Sequence, residues 1–267
     1  MTKQSEAIVL RTYPLREADL LVTLFTRAEG KVKGVAKAAK KSKRRFGGAL
    51  EPLTLVRAYW EDRERQELAR VNACEVLESP LSDPVDYPRA AALAHVAEVL
   101  DELLPDRESN DAVFRLAVSV LGALREAGYP HASPSALPGR SGDSGWSAPC
   151  GVWMPLTYFD LWMLRLVGFL PELGECLACG AALNGSQAFY HALADGLMCA
   201  AHKRLASREI SAESRAIAAQ MFRAPVESLR GAPWPKERGA DLRRFLAQTL
   251  ERHLEKKLAT VGILEKM

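Results

Sequence analysis

Gly30-Lys31-Val32-Lys33-Gly34-Val35-Ala36-Lys37 alternates small or apolar residues with lysine. Successive side chains of an extended chain point to opposite faces. The spacing therefore predicts a strand with Val32, Gly34 and Ala36 turned inward and Lys31, Lys33 and Lys37 sharing the other face. The chain continues through Lys40, Lys41, Lys43, Arg44 and Arg45, which makes eight cations in residues 31–45 without one acid. A basic ridge leading into a basic loop is the expectation. Working outward, Ala7–Tyr13 and Asp19–Thr26 precede this stretch, and Pro52–Trp60 and Leu68–Val76 follow it. All four are short and rich in Val, Leu, Thr and aromatics, and they are separated by Pro14, Glu29-Gly30, Gly47-Gly48 and the charged Glu61–Gln66 turn. Five strands at this spacing fit a small closed barrel. The five-stranded OB-fold matches the count and offers one open face to single-stranded nucleic acid.

Beyond Ser79-Pro80 and Asp83-Pro84 the apolar period changes from two to between three and four. Leu93, Val96, Leu100 and Leu103 form one stripe, and Val113, Leu116, Val120 and Leu124 form another. These predict two amphipathic helices, the first ended by Pro105 and the second capped by Ser109 or Asn110. Further helices are expected over Pro155–Phe169, Ser211–Phe222 and about Ala240–Leu258. Between Gly128 and Gly151, 14 of 24 residues are Gly, Pro or Ser, and a flexible surface loop over 128–151 is predicted. The fold class expected is α+β and multidomain: an OB-fold nucleic-acid-binding domain over 1–80, then an α-helical domain over 81–267.

Charge is divided unevenly along the 267 residues. The whole chain carries +3, but residues 1–50 hold 12 Lys and Arg against 4 Asp and Glu, a balance of +8 that leaves −5 for the rest. Eight like charges in fifteen residues repel one another, so a surface that attracts an anionic polymer explains them better than a solvated accident. Lys31, Lys33, Lys37, Lys40, Lys41, Lys43, Arg44 and Arg45 are the candidate phosphate contacts. Contacts of this kind release counterions and read no sequence. Tyr13, Phe25, Phe46, Tyr59 and Trp60 lie in or near the predicted strands. They serve either as platforms for stacked bases or as barrel core.

The five cysteines stand at 74, 150, 176, 179 and 199. Cys176-Leu177-Ala178-Cys179, then nineteen residues, then Cys199-Ala200-Ala201-His202 is the two-knuckle spacing that gathers four ligands around Zn²⁺, within a region of about 172–205. Gly180 and Gly196 allow tight turns beside the knuckles. Four protein ligands leave no open position, so a zinc here is structural. His191 is an alternative fourth ligand to His202. Cys74 reads as a small buried apolar residue and Cys150 as a loop thiol.

No phosphate loop, H-E-x-x-H or G-x-S-x-G is present, and acid pairs such as Asp101-Glu102 and Asp106 with Glu108 fall where a solvated face explains them. The expectation is a protein that is not an enzyme. No stretch approaches the roughly 18 apolar residues of a membrane span, and Met1–Glu6 lacks a signal-peptide core. A cytoplasmic, nucleoid-associated protein without a membrane partner is expected.

The order of several stretches resembles the RecO family of bacterial DNA repair and recombination proteins. They are Glu6-Ala7-Ile8-Val9-Leu10-Arg11, Tyr13-Pro14-Leu15-Arg16-Glu17-Ala18-Asp19, Leu24-Phe25-Thr26, Gly30 through Ala39 and Leu50-Glu51-Pro52. Leu166-Val167-Gly168-Phe169-Leu170-Pro171 ahead of Cys176-x-x-Cys179 completes the set. The resemblance implies a non-enzymatic mediator of the RecF pathway. Such a protein binds single- and double-stranded DNA, anneals complementary strands, joins RecR and helps RecA displace the single-strand-binding protein SSB. It also implies that the helical domain receives the acidic C-terminal tail of SSB. Arg243, Arg244, Lys256 and Lys257 by the last helix mark the expected place, unless that helix is simply amphipathic. Zinc-bearing relatives commonly use four cysteines where this chain has His202 in the last position. Two other classes compete: an RNA-binding or ribosome-associated OB module, and a metal-dependent hydrolase.

Overall fold

The structure, a computed structural model, describes residues 2–62, 66–127, 151–229 and 233–267. The loop expected over 128–151 lies outside the described residues except for Gly151, and so does Cys150. The protein is mixed α+β, with a five-stranded N-terminal sheet and a helical remainder. The strands are β1 (Thr2–Pro14), β2 (Leu20–Thr26), β3 (Gly30–Ala36), β4 (Leu55–Glu61) and β5 (Ala69–Glu78). They hydrogen-bond in the order β1-β2-β3-β5-β4, and the β4 ladder returns to β1, so the sheet closes on itself. The β3–β5 seam is parallel and short, pairing only Gly34–Ala36 with Ala69–Val71.

Alternation does what the sequence pattern requires. Val9, Val22, Leu24, Val32, Val56, Trp60 and Val71 fill the interior. The stretch read as a basic loop is ordered and anchored. It forms a 3₁₀ turn over Ala39–Lys41 and a short helix α1 (Lys43–Phe46). Ala39, Phe46, Ala49 and Leu50 of this segment enter the barrel core. Burying the Phe46 ring contributes about 2 kcal/mol, which holds down a segment that charge repulsion would otherwise lift.

The helices that follow are α2 (Tyr87–Leu103), α3 (Asp111–Glu126), α4 (Trp153–Leu166), α5 (Ala212–Met221), α6 (Ala240–Leu254) and α7 (Ala259–Glu265). Caps explain two of their starts: Asn110 Oδ1 accepts from Val113 N at 3.1 Å, and Ser211 Oγ accepts from Ser214 N at 3.1 Å. The final helix is shorter than its apolar stripe suggests. Glu255 takes a left-handed backbone at φ 53 and stops α6, and the chain restarts as α7. Between α4 and α5 a small sheet of β6 (Ala188–Tyr190), β7 (Leu197–Met198) and β8 (Arg208–Ile210) is ordered β7-β6-β8.

The chain forms two compact units. The first gathers Met1–Val85, Ala90–Leu121 and Lys257–Met267, and the second holds Asp86–Arg89 and Gly122–Lys256. A division at residue 80 therefore separates stretches of sequence, while in space two later stretches join the barrel. Phe114 of α3 packs on Phe25 with ring centroids 5.5 Å apart. Glu98 of α2 accepts from the first amides of α7, Ala259 N at 2.9 Å and Thr260 N at 3.0 Å, and buried His95 meets Thr260 Oγ1 at 2.8 Å. The α2–α3 corner lies on β3, where Arg107 N donates to Lys31 O at 3.0 Å.

That docking depends on a missing side chain. Gly30 has φ +68, and a Cβ there would stand 1.9 Å from the Glu108 carbonyl oxygen. Gly30→Ala should therefore destabilise the first unit by about 2–4 kcal/mol, from overpacking and left-handed backbone strain together. Chemical denaturation followed by the barrel's tryptophan fluorescence would read it. A midpoint equal to wild type would mean that the corner does not rest on β3.

Candidate nucleic-acid interface and candidate metal centre

The eight cations of residues 31–45 divide into two sets. Lys31 is 8% exposed. Its Nζ donates to Asp101 O at 2.6 Å and sits 3.5 Å from Asp106 Oδ1 and 3.9 Å from Asp101 Oδ1. Lys33 donates to Asp106 Oδ2 at 2.8 Å. That bond holds Lys33 above its ordinary value. Burial opposes charge on Asp106, but the two lysines outweigh it and hold the carboxyl below its own ordinary value. The expected open ridge of Lys31, Lys33 and Lys37 is thus corrected in its exposure: Lys31 and Lys33 share the outer face of β3, but the α2–α3 corner covers the first and pairs with the second. Sequence spacing contains nothing about a corner seventy residues away.

Lys37, Lys40, Lys41, Lys43 and Arg44 are exposed, and none has an ion pair among the described residues. Lys40 and Lys41 stand on the 3₁₀ turn, Lys43 and Arg44 on α1, and Lys37 directly after β3, so their backbone is fixed while their ammonium and guanidinium groups face water. Arg45 is partly committed, donating to Lys37 O at 2.8 Å and Ser42 Oγ at 3.0 Å and lying over the Phe46 ring at 5.1 Å. Lys33 and Arg45 border this set, and Lys31 does not belong to it. Of the aromatics, Phe25, Phe46 and Trp60 are core, each 3% exposed or less. Tyr13 is 48% exposed, and Tyr59 is half-buried with its hydroxyl donating to Glu75 at 3.2 Å.

Two other charged constellations are spent internally. Lys3 and Arg107 share Glu29 and Asp62, with Lys3 at 2.5 and 2.7 Å and Arg107 at 3.1 and 2.8 Å. Arg243 is drawn inward: it donates to the carbonyls of Lys236 and Arg238, lies over Trp153 and is held down at about 10 by burial. It is therefore not a surface cation for an acidic peptide, which corrects the set expected beside the last helix. In the same unit a cavity of about 440 Å³ is lined by Arg165, Leu170, Pro171, Arg215 and Phe222 among others.

The knuckles come together as their spacing predicts. Ligand atoms of Cys176, Cys179, Cys199 and His202 lie within 4.8 Å of one another. Nδ1 of His202 is 3.2 Å from Cys199 Sγ and 3.8 Å from Cys176 Sγ. A tetrahedron with Zn–S of about 2.3 Å and Zn–N of about 2.0 Å has edges of roughly 3.5–3.8 Å, so the four could hold a metal ion. The backbone builds the pocket: Gly180, at φ +67, donates to Cys176 O at 2.8 Å to close the first knuckle, and Leu177 N donates to Leu197 O at 2.7 Å. Burial opposes charge on Cys176. Amide donors including Cys199 N, 3.4 Å from the sulfur, outweigh it and bring the thiol down to about 6, which favours the thiolate that binds metal. His191 lies outside the cluster, with its Nδ1 accepting from Leu193 N at 3.1 Å. Cys74 lies in the barrel core, where burial pushes its thiol up to about 12. No helix of the described residues is long and apolar enough to cross a membrane.

Comparison with known proteins covers most of the chain. Residues 1–80 match the family model for the recombination protein O N terminal, and residues 84–136 and 147–261 match that for its C terminal. A DNA repair protein RecO from Koribacter versatilis (strain Ellin345) is 66% identical over all of both chains. Another from Anaeromyxobacter sp. (strain Fw109-5) is 32% identical over 97% of this chain and 94% of that one, and one from Bifidobacterium adolescentis is 29% identical over 98% of each. A chain matched along both of its halves by these models, and along its full length by such relatives, belongs to the RecO family of DNA repair proteins.

Proposed function

We propose that the chain is a recombination mediator whose N-terminal barrel, of the OB class, holds single- and double-stranded DNA through the exposed cations of residues 37–45. The observation that carries this reading is the set of five exposed cations, Lys37, Lys40, Lys41, Lys43 and Arg44, which make no ion pair among the described residues and lie on or beside turns whose apolar residues plug the barrel. A fixed cationic segment releases counterions from phosphate and gives affinity without reading bases. Neutralising two strands at once lowers the repulsion that keeps complements apart, so the same segment promotes annealing. Nothing in this scheme needs a bond to be broken, and we assign the chain no catalytic residue. Residues 81–267 are then the helical domain, with a structural zinc held by Cys176, Cys179, Cys199 and His202. In the pathway the chain works with RecR, meets the acidic C-terminal tail of SSB and aids RecA indirectly, in the cytoplasm at the nucleoid. For that tail, the cavity beside Arg165, Leu170 and Phe222 offers a cation and apolar walls.

Annealing of complementary, SSB-coated DNA strands by the full chain tests the reading. Acceleration that weakens as salt rises is expected, with a log–log binding slope near −0.7 per phosphate contacted on single strands. Salt-independent binding would refute it. A preference for RNA, with no annealing of coated DNA, would transfer the protein to the RNA-binding class.

A further inference from the structure

Register across the barrel places Tyr13, Leu21 and Val35 in one row, because Tyr13 pairs with Leu21 and Leu21 with Val35. Directly paired residues share a face of the sheet, and this row lies on the outer one. Tyr13 is 48% exposed, and Leu21 and Val35 are partly so. Leu15, 46% exposed, follows at the tip between β1 and β2. That tip is tied to the start of the basic segment, where Ala38 N donates to Asp19 Oδ1 at 2.8 Å and Lys40 N donates to Ala18 O at 3.1 Å. An apolar row headed by an aromatic ring therefore borders exposed Lys37, Lys40 and Lys41, which make no ion pair among the described residues.

The ring is also held. Arg11 donates to the Tyr13 hydroxyl at 3.0 Å, and Arg11 is itself fixed by Asp101 Oδ2 at 2.5 Å and Glu102 Oε1 at 3.3 Å. An exposed ring ordered before its ligand arrives gives up less freedom on binding than a loose one. Thymine, adenine and every other base has a face to lay on it, and stacking of this kind is indifferent to sequence.

We infer that Tyr13, oriented by Arg11, is a stacking platform for an unpaired base of single-stranded DNA, with Leu15, Leu21 and Val35 flanking it and the phosphates following Lys37, Lys40 and Lys41. The inference rests on the DNA-binding reading above and adds a source of strand preference. In a duplex the bases are stacked on one another and have no free face for the ring. Duplex is then held by the cations alone, and a single strand by cations and ring.

Three probes separate these contributions: an oligothymidylate of about 20 nucleotides, an abasic strand of equal length, and a blunt duplex. With the full chain, Tyr13→Ala should lower affinity for the oligothymidylate about tenfold, leave the abasic strand and the duplex unchanged, and keep the salt slope. Tyr13→Phe should retain most of the affinity, and Arg11→Met should fall between the two. An oligothymidylate bound by Tyr13→Ala as by wild type would overturn the inference. So would equal losses on all three probes, or a Tyr13→Phe loss as large as that of Tyr13→Ala. Oligouridylate bound more tightly than oligothymidylate, with the same dependence on Tyr13, would move the occupant to RNA and overturn the assignment to DNA. Failure of the DNA-binding reading itself looks different: wild type would then bind none of the probes in a salt-dependent way.

Discussion

Replacing Lys37, Lys40, Lys41, Lys43 and Arg44 together with alanine is expected to lower affinity for DNA about a hundredfold to a thousandfold at about 50 mM salt. The slope of log affinity against log salt should flatten by roughly three to four on a single strand, since each lost phosphate contact removes about 0.7. Stability should hardly change. All five side chains are exposed and make no ion pair among the described residues, whereas the apolar anchors Ala39, Phe46, Ala49 and Leu50 remain. Lys31→Ala gives the opposite pattern. It leaves the carbonyl of Asp101 without its donor and Asp106 with Lys33 alone, so it should lower the denaturation midpoint and leave the salt slope alone. Salt titrations of both variants, with circular dichroism as the check on folding, would read the contrast. A five-fold variant that is folded and binds as wild type does would sink the assignment of the interface.

The second large effect concerns the metal centre. The purified chain should carry close to one zinc, and Cys176→Ser should lose it. Binding by two or three thiolates and an imidazole supplies roughly 10–16 kcal/mol of apparent free energy to a small zinc domain, and that energy is folding energy where no large core exists. Here few ladder hydrogen bonds support the knuckles: β6, β7 and β8 have three, two and three residues. Chelation should accordingly abolish hydrogen-exchange protection of Leu177 N and of the β6–β7 ladder, while the barrel keeps its own protection. DNA affinity should be nearly unaffected, because no knuckle residue belongs to the cationic segment. Full protection of the knuckles in protein shown to be free of metal would overturn the structural role.

The barrel strands and the knuckles were legible because both depend on short-range rules. Residue type and turn residues marked every strand, although β1 starts at Thr2 and not at Ala7, and C-x-x-C with C-x-x-H brought four ligands together as written. The cationic segment was legible in composition and misjudged in form. Phe46 and Ala39 sit among lysines, and only packing shows that they plug the barrel and turn a loop into two helical turns. Lys31 was unreadable for a different reason, since its partners Asp101 and Asp106 are set by tertiary docking of α2 and α3. The strands β6 to β8 are too short to display a period, and the stripe through Leu254 and Leu258 hides the left-handed Glu255 that divides it. Tyr13 is plainly aromatic in the sequence. Which of five aromatics faces outward depends on strand register, however, and the tie to Arg11 depends on carboxylates that α2 brings from ninety residues away.

The first unit draws its last piece from beyond the second one. Glu98 receives the opening amides of α7, so the residues that finish the structure around the barrel leave the ribosome only after the whole second unit has been made. The first unit, although its barrel is translated early, therefore stays incomplete for most of the synthesis of the chain. During that interval the nascent polypeptide exposes the side of α2 that α7 will later cover. A premature stop codon just ahead of Ala259 would harm the amino-terminal unit more than the carboxy-terminal one.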